Sequence, residues 1–201
     1  MLELNTRPIP HSLLQILSLF VLGLFGWRVV GQRPATPKYV LIGAHHTTNW
    51  DFPLTLLLAG AMGVQVHWIG KDSLFKKPFG RLFYRLGGIP VDRTQRTNFV
   101  QQMVDRLNIE DELVLVISPE GTREKTEYWH TGFYYIASQA HVPIVPGFLD
   151  YATRTAGFGK PIWPHGDIAV DLEKLRHFYA DVQGRYPHKH GKIELRPPKA
   201  G

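Results

Sequence analysis

The sequence predicts an α/β domain built on a mostly parallel central sheet flanked by helices. Two observations support this prediction. Short apolar runs of strand length recur along the chain, and segments with apolar residues at helical spacing lie between them. The chain has 201 residues, of which 44% are hydrophobic, so it can bury the core of one domain. Its 15 prolines and 19 glycines indicate many turns between the elements.

Each element follows from its local pattern. Strands are expected where apolar runs are bounded by turn residues, at residues 39–44, 64–69, 88–91, 113–117 and 144–149. Helices are expected at residues 52–61, 77–86, 97–107, 132–140 and 171–182. Pro53 falls in the first turn of its helix, where proline is tolerated. The tail after Gly184 is polar, basic and proline-containing, so we expect it to be loosely ordered.

Residues 1–33 are predicted to be a membrane-associating segment that precedes a domain at residues 34–201. Residues 12–27 contain no charged side chain. As a helix they would be about 24 Å long, slightly shorter than the roughly 30 Å hydrocarbon core of a bilayer. Val29 and Val30 could lengthen that helix. A secretory signal peptide, or a helix buried in a core or an oligomer interface, would also fit this run.

The composition excludes some chemistries and favours certain partners. The chain has no cysteine, which excludes disulfides, thiolate zinc sites and a cysteine nucleophile. Its formal net charge of +6 favours acidic partners such as phospholipid headgroups, nucleic acid or an acidic carrier protein. Residues 75–85 interleave aromatic and basic side chains, which suits a membrane surface but also an ordinary amphipathic helix. We find no nucleic-acid recognition motif and expect no nucleic-acid partner.

A histidine and an aspartate follow the first predicted strand of the domain. His46 comes just after this strand, and Asp51 begins the next helix. Open parallel sheets place their active crevices at the carboxyl ends of the strands. There the Asp51 carboxylate could hold one imidazole nitrogen while the other takes a proton from a hydroxyl. The alternatives are a helix-capping aspartate beside a loop histidine, or a metal site that also uses His45. No further ligand spacing supports a metal.

Charged residues also follow two other predicted strands. Arg93 follows the strand at 88–91, and the segment 119–123 follows the strand at 113–117. An arginine suits phosphate because its planar guanidinium bonds two oxygens at once. Arg123 is therefore predicted to bind phosphate, and Glu120 to hold the loop or a substrate hydroxyl. An ion pair between Glu120 and Arg123 is the structural alternative.

The order of these motifs resembles that of the glycerolipid acyltransferases of the 1-acylglycerol-3-phosphate acyltransferase (lysophosphatidic acid acyltransferase) type. The family's His-x4-Asp motif is matched by His46 and Asp51, and its glycine-rich segment ending in arginine by residues 88–93. Its Phe-Pro-Glu-Gly-Thr-Arg motif is matched from Pro119 onward, and its Val-Pro-Ile-x-Pro strand by residues 142–146. The resemblance covers roughly residues 38 to 150.

The resemblance implies an O-acyltransferase domain at residues 34–201 with His46 as the base and Asp51 as its orienting carboxylate. It implies acyl-CoA or acyl carrier protein as the donor, with no cofactor and no metal. Membrane lipids are the expected partners, and the expected location is the cytoplasmic face of the cell membrane. The acceptor's glycerol phosphate would be bound by Arg93, Glu120, Gly121, Thr122 and Arg123.

Some positions depart from the family pattern and leave the acceptor open. His45 stands where many members have asparagine, and Ser118 replaces the usual phenylalanine before Pro119. Residues 129–132 replace a Phe-Lys-x-Gly string. The acceptor could therefore be 1-acylglycerol-3-phosphate, an amino-lipid, a glycolipid or another lysophospholipid. A catalytically silent lipid-binding protein of this fold and a metal-dependent hydrolase are the other hypotheses.

Overall fold

A computed structural model describes residues 12–76, 78–91 and 96–196 of the chain, without the side chains of residues 96–98. Within these residues, one sheet of seven strands forms the centre of the fold. The strands are β1 (Arg28–Val30), β2 (Lys38–Gly43), β3 (Val66–Lys71), β4 (Gly88–Val91), β5 (Leu113–Ile117), β6 (Ile144–Asp150) and β7 (Thr155–Phe158). Their spatial order is β1-β7-β6-β2-β5-β3-β4.

Helices connect and cover these strands. The α-helices are α1 (Leu13–Leu24), α2 (Asp51–Met62), α3 (Gly80–Arg85), α4 (Arg96–Ile109), α5 (Gly132–Gln139) and α6 (Ile168–Tyr179). Two short 3₁₀-helices lie at Asp72–Phe75 and Pro187–Lys189. Neighbouring strands are parallel except for the β6–β7 pair, which is antiparallel. The predicted α/β class with a mostly parallel sheet is therefore confirmed.

The two faces of the sheet carry separate apolar layers. Side chains alternate along β2 because successive residues of a strand point to opposite faces. Val40 and Ile42 pack in one cluster with residues of α4, α5 and α6. Tyr39 and Leu41 pack in the other cluster with residues of α1 and α2. The sheet is thus buried on both faces, as is usual for parallel sheets.

Helix α6 also holds two strands by hydrogen bonds. The buried Tyr179 hydroxyl donates towards the backbone carbonyl oxygens of Ile42 in β2 and Gly147 in β6, at 3.2 and 2.9 Å. The Ile42 carbonyl lies near the carboxyl end of β2, and Gly147 lies in the middle of β6, opposite Gly43 of β2. The same end of the sheet carries the histidine and aspartate predicted from the sequence.

Strands β1 and β7 were not predicted. The possible extension of the N-terminal helix through Val29 and Val30 is wrong, because both residues lie in β1. The chain leaves α1 at Gly26, whose φ of 74° is favourable for glycine, and β1 then pairs with β7 in parallel. The sheet therefore begins inside the predicted segment 1–33.

Helix α1 packs against α2 with an unusual distribution of polarity. Gln15 and Ser18 are buried, whereas most of the leucines and phenylalanines of the helix are exposed. The two helices approach closely at Gly60 of α2 and at Gly63, which directly follows α2, because a side chain at either glycine would collide with Ser18 or Gln15. No helix within the described residues is both long and apolar enough to cross a membrane.

Residues 185–196 of the C-terminal tail are packed on the domain, so the prediction that the tail is loosely ordered is wrong for these residues, whereas residues 197–201 lie outside the described part of the chain. The backbone N–H of Tyr186 donates to the Thr47 hydroxyl at 3.2 Å. Farther along, Glu194 accepts a hydrogen bond from the backbone of Trp129 at 2.9 Å. Apart from the short 3₁₀-helix at Pro187–Lys189, these residues are held by contacts with other parts of the domain, including the hydrogen bond from Arg176 of α6 to the Ile193 carbonyl at 2.9 Å. Such contacts leave no periodic pattern in the sequence.

Candidate active site

His46 and Asp51 form a hydrogen-bonded pair at the carboxyl end of β2. The Nδ1 atom of His46 lies 3.0 Å from Oδ2 of Asp51. Because an ionised carboxylate can only accept, Nδ1 carries the proton and Nε2 is left as the basic nitrogen. The His46 side chain is 27% exposed, whereas that of Asp51 is only 7% exposed. The pair thus has a buried acid and an accessible base.

The loop between β2 and α2 wraps around the Asp51 carboxylate. The backbone N–H groups of Thr47 and Thr48 both donate to Oδ2, each at 2.9 Å. Asp51 is the first residue of α2, where a negative charge is favourable because the helix dipole is positive at that end. The N-cap residue of α2 is Trp50, and no side chain makes a capping hydrogen bond there. Of the two alternatives considered from the sequence, the structure therefore shows the partnership of Asp51 with His46 and not a helix-capping hydrogen bond.

The other oxygen of Asp51 accepts a hydrogen bond from a tyrosine. The Tyr151 hydroxyl donates to Oδ1 at 2.7 Å, across 100 residues of sequence. Burial in the first place, and then the hydrogen bond to Asp51, raise the pKa of the Tyr151 phenol. Tyr151 therefore stays protonated and acts as a donor to the carboxylate.

Glu120 contacts the backbone of His46 and the side chain of His45. Its Oε2 accepts a hydrogen bond from the backbone N–H of His46 at 2.7 Å, and its Oε1 lies 3.4 Å from Nδ1 of His45. The residue is only 3% exposed. In this structure Glu120 thus supports the segment that carries His46, whereas its predicted contact with substrate stays a prediction.

The two adjacent histidines have different partners. The His45 ring stacks on that of His190, with centroids 3.8 Å apart, whereas His46 contacts Asp51. Burial, and then the neighbouring His45, lower the pKa of His190 to about 4. Within the described residues, no group of three or more histidines or carboxylates is arranged to hold a metal.

The loop after β5 brings Arg123 to the same site. Its Nη1 donates to Oδ1 of Asn49 at 2.5 Å, which joins the two motif-bearing loops. The loops meet because β2 and β5 are parallel neighbours. Gly121 turns the chain with a φ of 66°, and the Thr122 hydroxyl accepts the N–H of Glu124 at 3.3 Å. Arg93 lies outside the described residues.

A cavity of about 510 Å³ lies beside the histidine–aspartate pair. This volume is within the usual range for ligand pockets. The polar groups that line it include His46, Asp51, Ser118, Arg123 and Lys71. Much of the remaining wall is apolar, contributed by Leu41, Phe52, Leu56, Leu58, Val66, Trp68, Val116, Phe148, Leu149 and Phe158. The site therefore combines a base, cations and room for a hydrocarbon chain.

Three polar residues of this site were not selected from the sequence. Lys71 ends β3 and Tyr151 directly follows β6. Both obey the strand-end rule that pointed to His46, so a stricter application of that rule would have found them. Asn49 lies within the His46–Asp51 loop, and its contact with Arg123 depends on the packing of two distant loops.

Two curated relatives match more than half of this chain. The 1-acyl-sn-glycerol-3-phosphate acyltransferase of Limnanthes douglasii is 29% identical over 121 residues, which cover 57% of this chain and 42% of the relative. The enzyme of the same name from Escherichia coli (strain K12) is 29% identical over 132 residues, covering 61% of this chain and 53% of the relative. The chain thus spans about half the length of these relatives.

A solved structure and a family model complete the comparison. The crystal structure of the 1-acyl-sn-glycerophosphate (LPA) acyltransferase PlsC from Thermotoga maritima matches with a TM-score of 0.59 and 14% identity. The match covers 86% of this chain and 79% of that chain, and it shows a shared fold. The Acyltransferase family model matches residues 27–149, which is more than half of the chain. The chain therefore belongs to the Acyltransferase family, as its motifs predicted.

Proposed function

We propose that this protein transfers a fatty acyl group from a thioester donor, acyl-CoA or acyl carrier protein, to a hydroxyl of a lysophospholipid. The acceptor that we propose first is 1-acylglycerol-3-phosphate. The observation that carries the proposal is the pairing of His46 with Asp51 beside a largely apolar cavity that also contains Arg123. The names of the curated relatives support the same reaction.

In the proposed reaction, Nε2 of His46 removes the proton of the acceptor hydroxyl. The oxygen attacks the thioester carbonyl carbon, and a tetrahedral intermediate forms. When the intermediate collapses, the carbon–sulfur bond breaks and the His46 imidazolium returns the proton to the leaving thiolate. Asp51 keeps Nδ1 protonated and stabilises the imidazolium. Such general-base catalysis typically contributes about 10²–10⁴ to the rate.

Two cations that line the cavity support an anionic acceptor. Arg123 and Lys71 both lie along the wall that includes His46. We propose that they bind the phosphate of the acceptor, Arg123 through its planar fork and Lys71 as a point charge. The predicted phosphate contact of Arg93 belongs to the same proposal.

The Ser118 hydroxyl supports a second class of lipid acceptor as the alternative. The buried Ser118 hydroxyl has no hydrogen-bond partner among the described residues, and Ser118 lines the same cavity. A buried hydroxyl of this kind gains free energy when a ligand pairs with it. A polar group of a glycolipid or an amino-lipid headgroup could supply that pairing, so a second lipid acceptor is the alternative function.

The direct test is an acyl-transfer assay with radiolabelled donors. Acyl-CoA and acyl carrier protein are each offered with 1-acylglycerol-3-phosphate, other lysophospholipids, a glycolipid and an amino-lipid. The expected product is phosphatidic acid, and His46→Ala should lose at least about 10²-fold in rate. His177→Ala, which changes an exposed histidine of α6, is the matched control. Unchanged turnover in His46→Ala, or no transfer to any acceptor, would contradict the proposal.

We also propose that the protein works at the cytoplasmic face of the membrane, with α1 lying in the lipid interface. The outward face of this helix is apolar, although its inward face carries the buried Gln15 and Ser18. Exposure of so many apolar side chains to water is unfavourable, whereas a lipid surface would cover them. The exposed residues are Leu13, Leu14, Ile16, Leu17, Phe20, Leu24 and Phe25.

Vesicle flotation tests the membrane proposal. A charge placed by Leu17→Glu on the exposed face of α1 should weaken binding to vesicles that contain anionic phospholipid. Ile109→Glu changes another exposed apolar residue, at the end of α4 on the opposite side of the sheet, and should bind as the wild type does. If Leu17→Glu binds vesicles as strongly as Ile109→Glu does, α1 is not the part of the protein that contacts the membrane.

A further inference from the structure

The Asp51 carboxylate is held at both of its oxygens. Oδ2 receives the His46 ring and two backbone N–H groups, all within 3.0 Å. Oδ1 receives the Tyr151 hydroxyl at 2.7 Å. A carboxylate that is bonded at one oxygen alone can still rotate about its Cβ–Cγ bond. Hydrogen bonds to both oxygens fix the plane of the group, and with it the direction in which Oδ2 meets the imidazole.

The Tyr151 ring is itself braced from several directions. The Trp27 ring meets it edge-on, with centroids 5.0 Å apart. The Arg185 guanidinium lies 5.8 Å from the ring centroid, and the backbone N–H of Tyr151 donates to the Gln183 carbonyl at 2.8 Å. These contacts come from the residue before β1 and from the segment that follows α6. The hydroxyl therefore has a restricted position rather than a choice of rotamers.

Tyr151 lies just beyond the residues that match the family model, which end at 149. It also lies outside every motif singled out from the sequence. Its phenol has a raised pKa because of burial and the adjacent carboxylate, so it donates throughout the neutral pH range. A neutral donor bonded to an ionised acceptor makes a stronger hydrogen bond than a neutral pair does.

We propose that Tyr151 is a positioning residue for acyl transfer, which acts by orienting Asp51 and through it the His46 base. The proposal rests on the function proposed above. Tyr151 does not touch the reacting atoms in this role. Its removal should therefore change the rate of the chemical step and leave substrate binding alone.

The test compares Tyr151→Phe with Tyr39→Phe. Both variants lose one phenolic hydroxyl, but the Tyr39 hydroxyl is buried with no hydrogen-bond partner in the described part of the chain, and Tyr39 is not among the residues that line the cavity beside His46. We expect Tyr151→Phe to lower kcat about tenfold with both KM values unchanged, the order of magnitude for one hydrogen bond to a charged group. Tyr39→Phe should keep the wild-type kcat. A raised KM with an unchanged kcat would instead indicate substrate binding and overturn the proposal.

A double-mutant cycle tests whether the effect passes through Asp51. In an Asp51→Asn background, Tyr151→Phe should change kcat less than about twofold, because the ionised acceptor is already lost. A second full tenfold loss in that background would mean that Tyr151 acts independently of Asp51, and the proposal would be wrong.

Proton NMR gives a readout that needs no turnover. The Nδ1 proton of His46, shared with a carboxylate, should give a downfield signal that shifts or broadens in Tyr151→Phe and not in Tyr39→Phe. If that change occurs but the wild type transfers no acyl group, the proposed function fails while the Tyr151–Asp51–His46 coupling stands. If wild-type transfer is normal and neither the signal nor kcat changes in Tyr151→Phe, the positioning role fails alone.

Discussion

Replacement of Glu120 by alanine tests what the buried carboxylate does. The sequence pattern predicted that Glu120 holds the loop or a substrate hydroxyl, and in the structure both carboxylate oxygens face the segment that carries His46. Glu120→Ala would leave the His46 N–H without its acceptor at a site where the glutamate is 3% exposed. The variant should therefore lose stability as well as activity.

The magnitude follows from the contact that is lost. A hydrogen bond to a charged group contributes about 1.5–3 kcal/mol, and an orphaned buried donor costs about 1–3 kcal/mol. Relief from burying a charge offsets part of this loss, so we expect a net destabilisation of about 2 kcal/mol. For a domain of this size, 1 kcal/mol lowers Tm by about 2–4 °C. The expected fall in Tm is therefore about 4–8 °C.

Thermal unfolding followed by circular dichroism measures this change, and steady-state kinetics with the lysolipid acceptor measures the second effect. We expect kcat to fall about tenfold, because His46 loses its backbone anchor, with the acceptor KM unchanged. Glu124→Ala is the matched control, since Glu124 lies in the same loop with its side chain 72% exposed. A Tm within about 1 °C of wild type, or a raised acceptor KM at unchanged kcat, would refute the reasoning.

Three further predictions concern the surroundings of the site. Gly121→Ala should lower the free energy of unfolding, measured by chemical denaturation, by about 1–2 kcal/mol, because φ is 66° there. Gly132→Ala is the control and should not destabilise the protein, because a methyl group at Gly132 would meet no described atom within 4 Å. The pKa of His190 is lowered to about 4, so its contribution to stability is complete above about pH 6.5 and is lost as the pH falls towards 4. His190→Gln should flatten the fall of Tm in that window, and an unchanged slope would contradict this. Thr55→Phe, which narrows the cavity, should slow transfer from long acyl donors more than from short ones; equal slowing would exclude this wall as the acyl site.

Local pattern predicted the centre of the sheet well. The expected strands at 88–91 and 113–117 coincide with β4 and β5, because a continuous apolar run between turn residues has few other structures available. Strands β1 and β7 were missed. They have three and four residues, too few for a periodic signal. Their pairing joins Arg28 to Thr155, a contact that local sequence does not encode.

In the candidate site too, contacts within one loop could be predicted from the sequence, whereas contacts between distant segments could not. The spacing of His46 and Asp51 predicted that the two side chains could meet, and their atoms lie 3.0 Å apart, although their catalytic roles stay predictions. The involvement of Tyr151 depends on how the end of β6 packs beside α2, so it could not be read from neighbouring residues. The same holds for His190, which reaches the site only because the tail folds back onto the domain.

The hydroxyl of Tyr179 ties β2 to β6 from a helix that begins 19 positions after the matched family region ends. A shortened protein cut to residues 27–149 would therefore lose the hydrogen bonds from α6 that link β2 to β6 at Ile42 and Gly147. It would also bare an apolar sheet face that Leu172 and Leu175 cover in the intact chain. A design that transplants the His46–Asp51 loop into another scaffold would therefore also need an equivalent of α6.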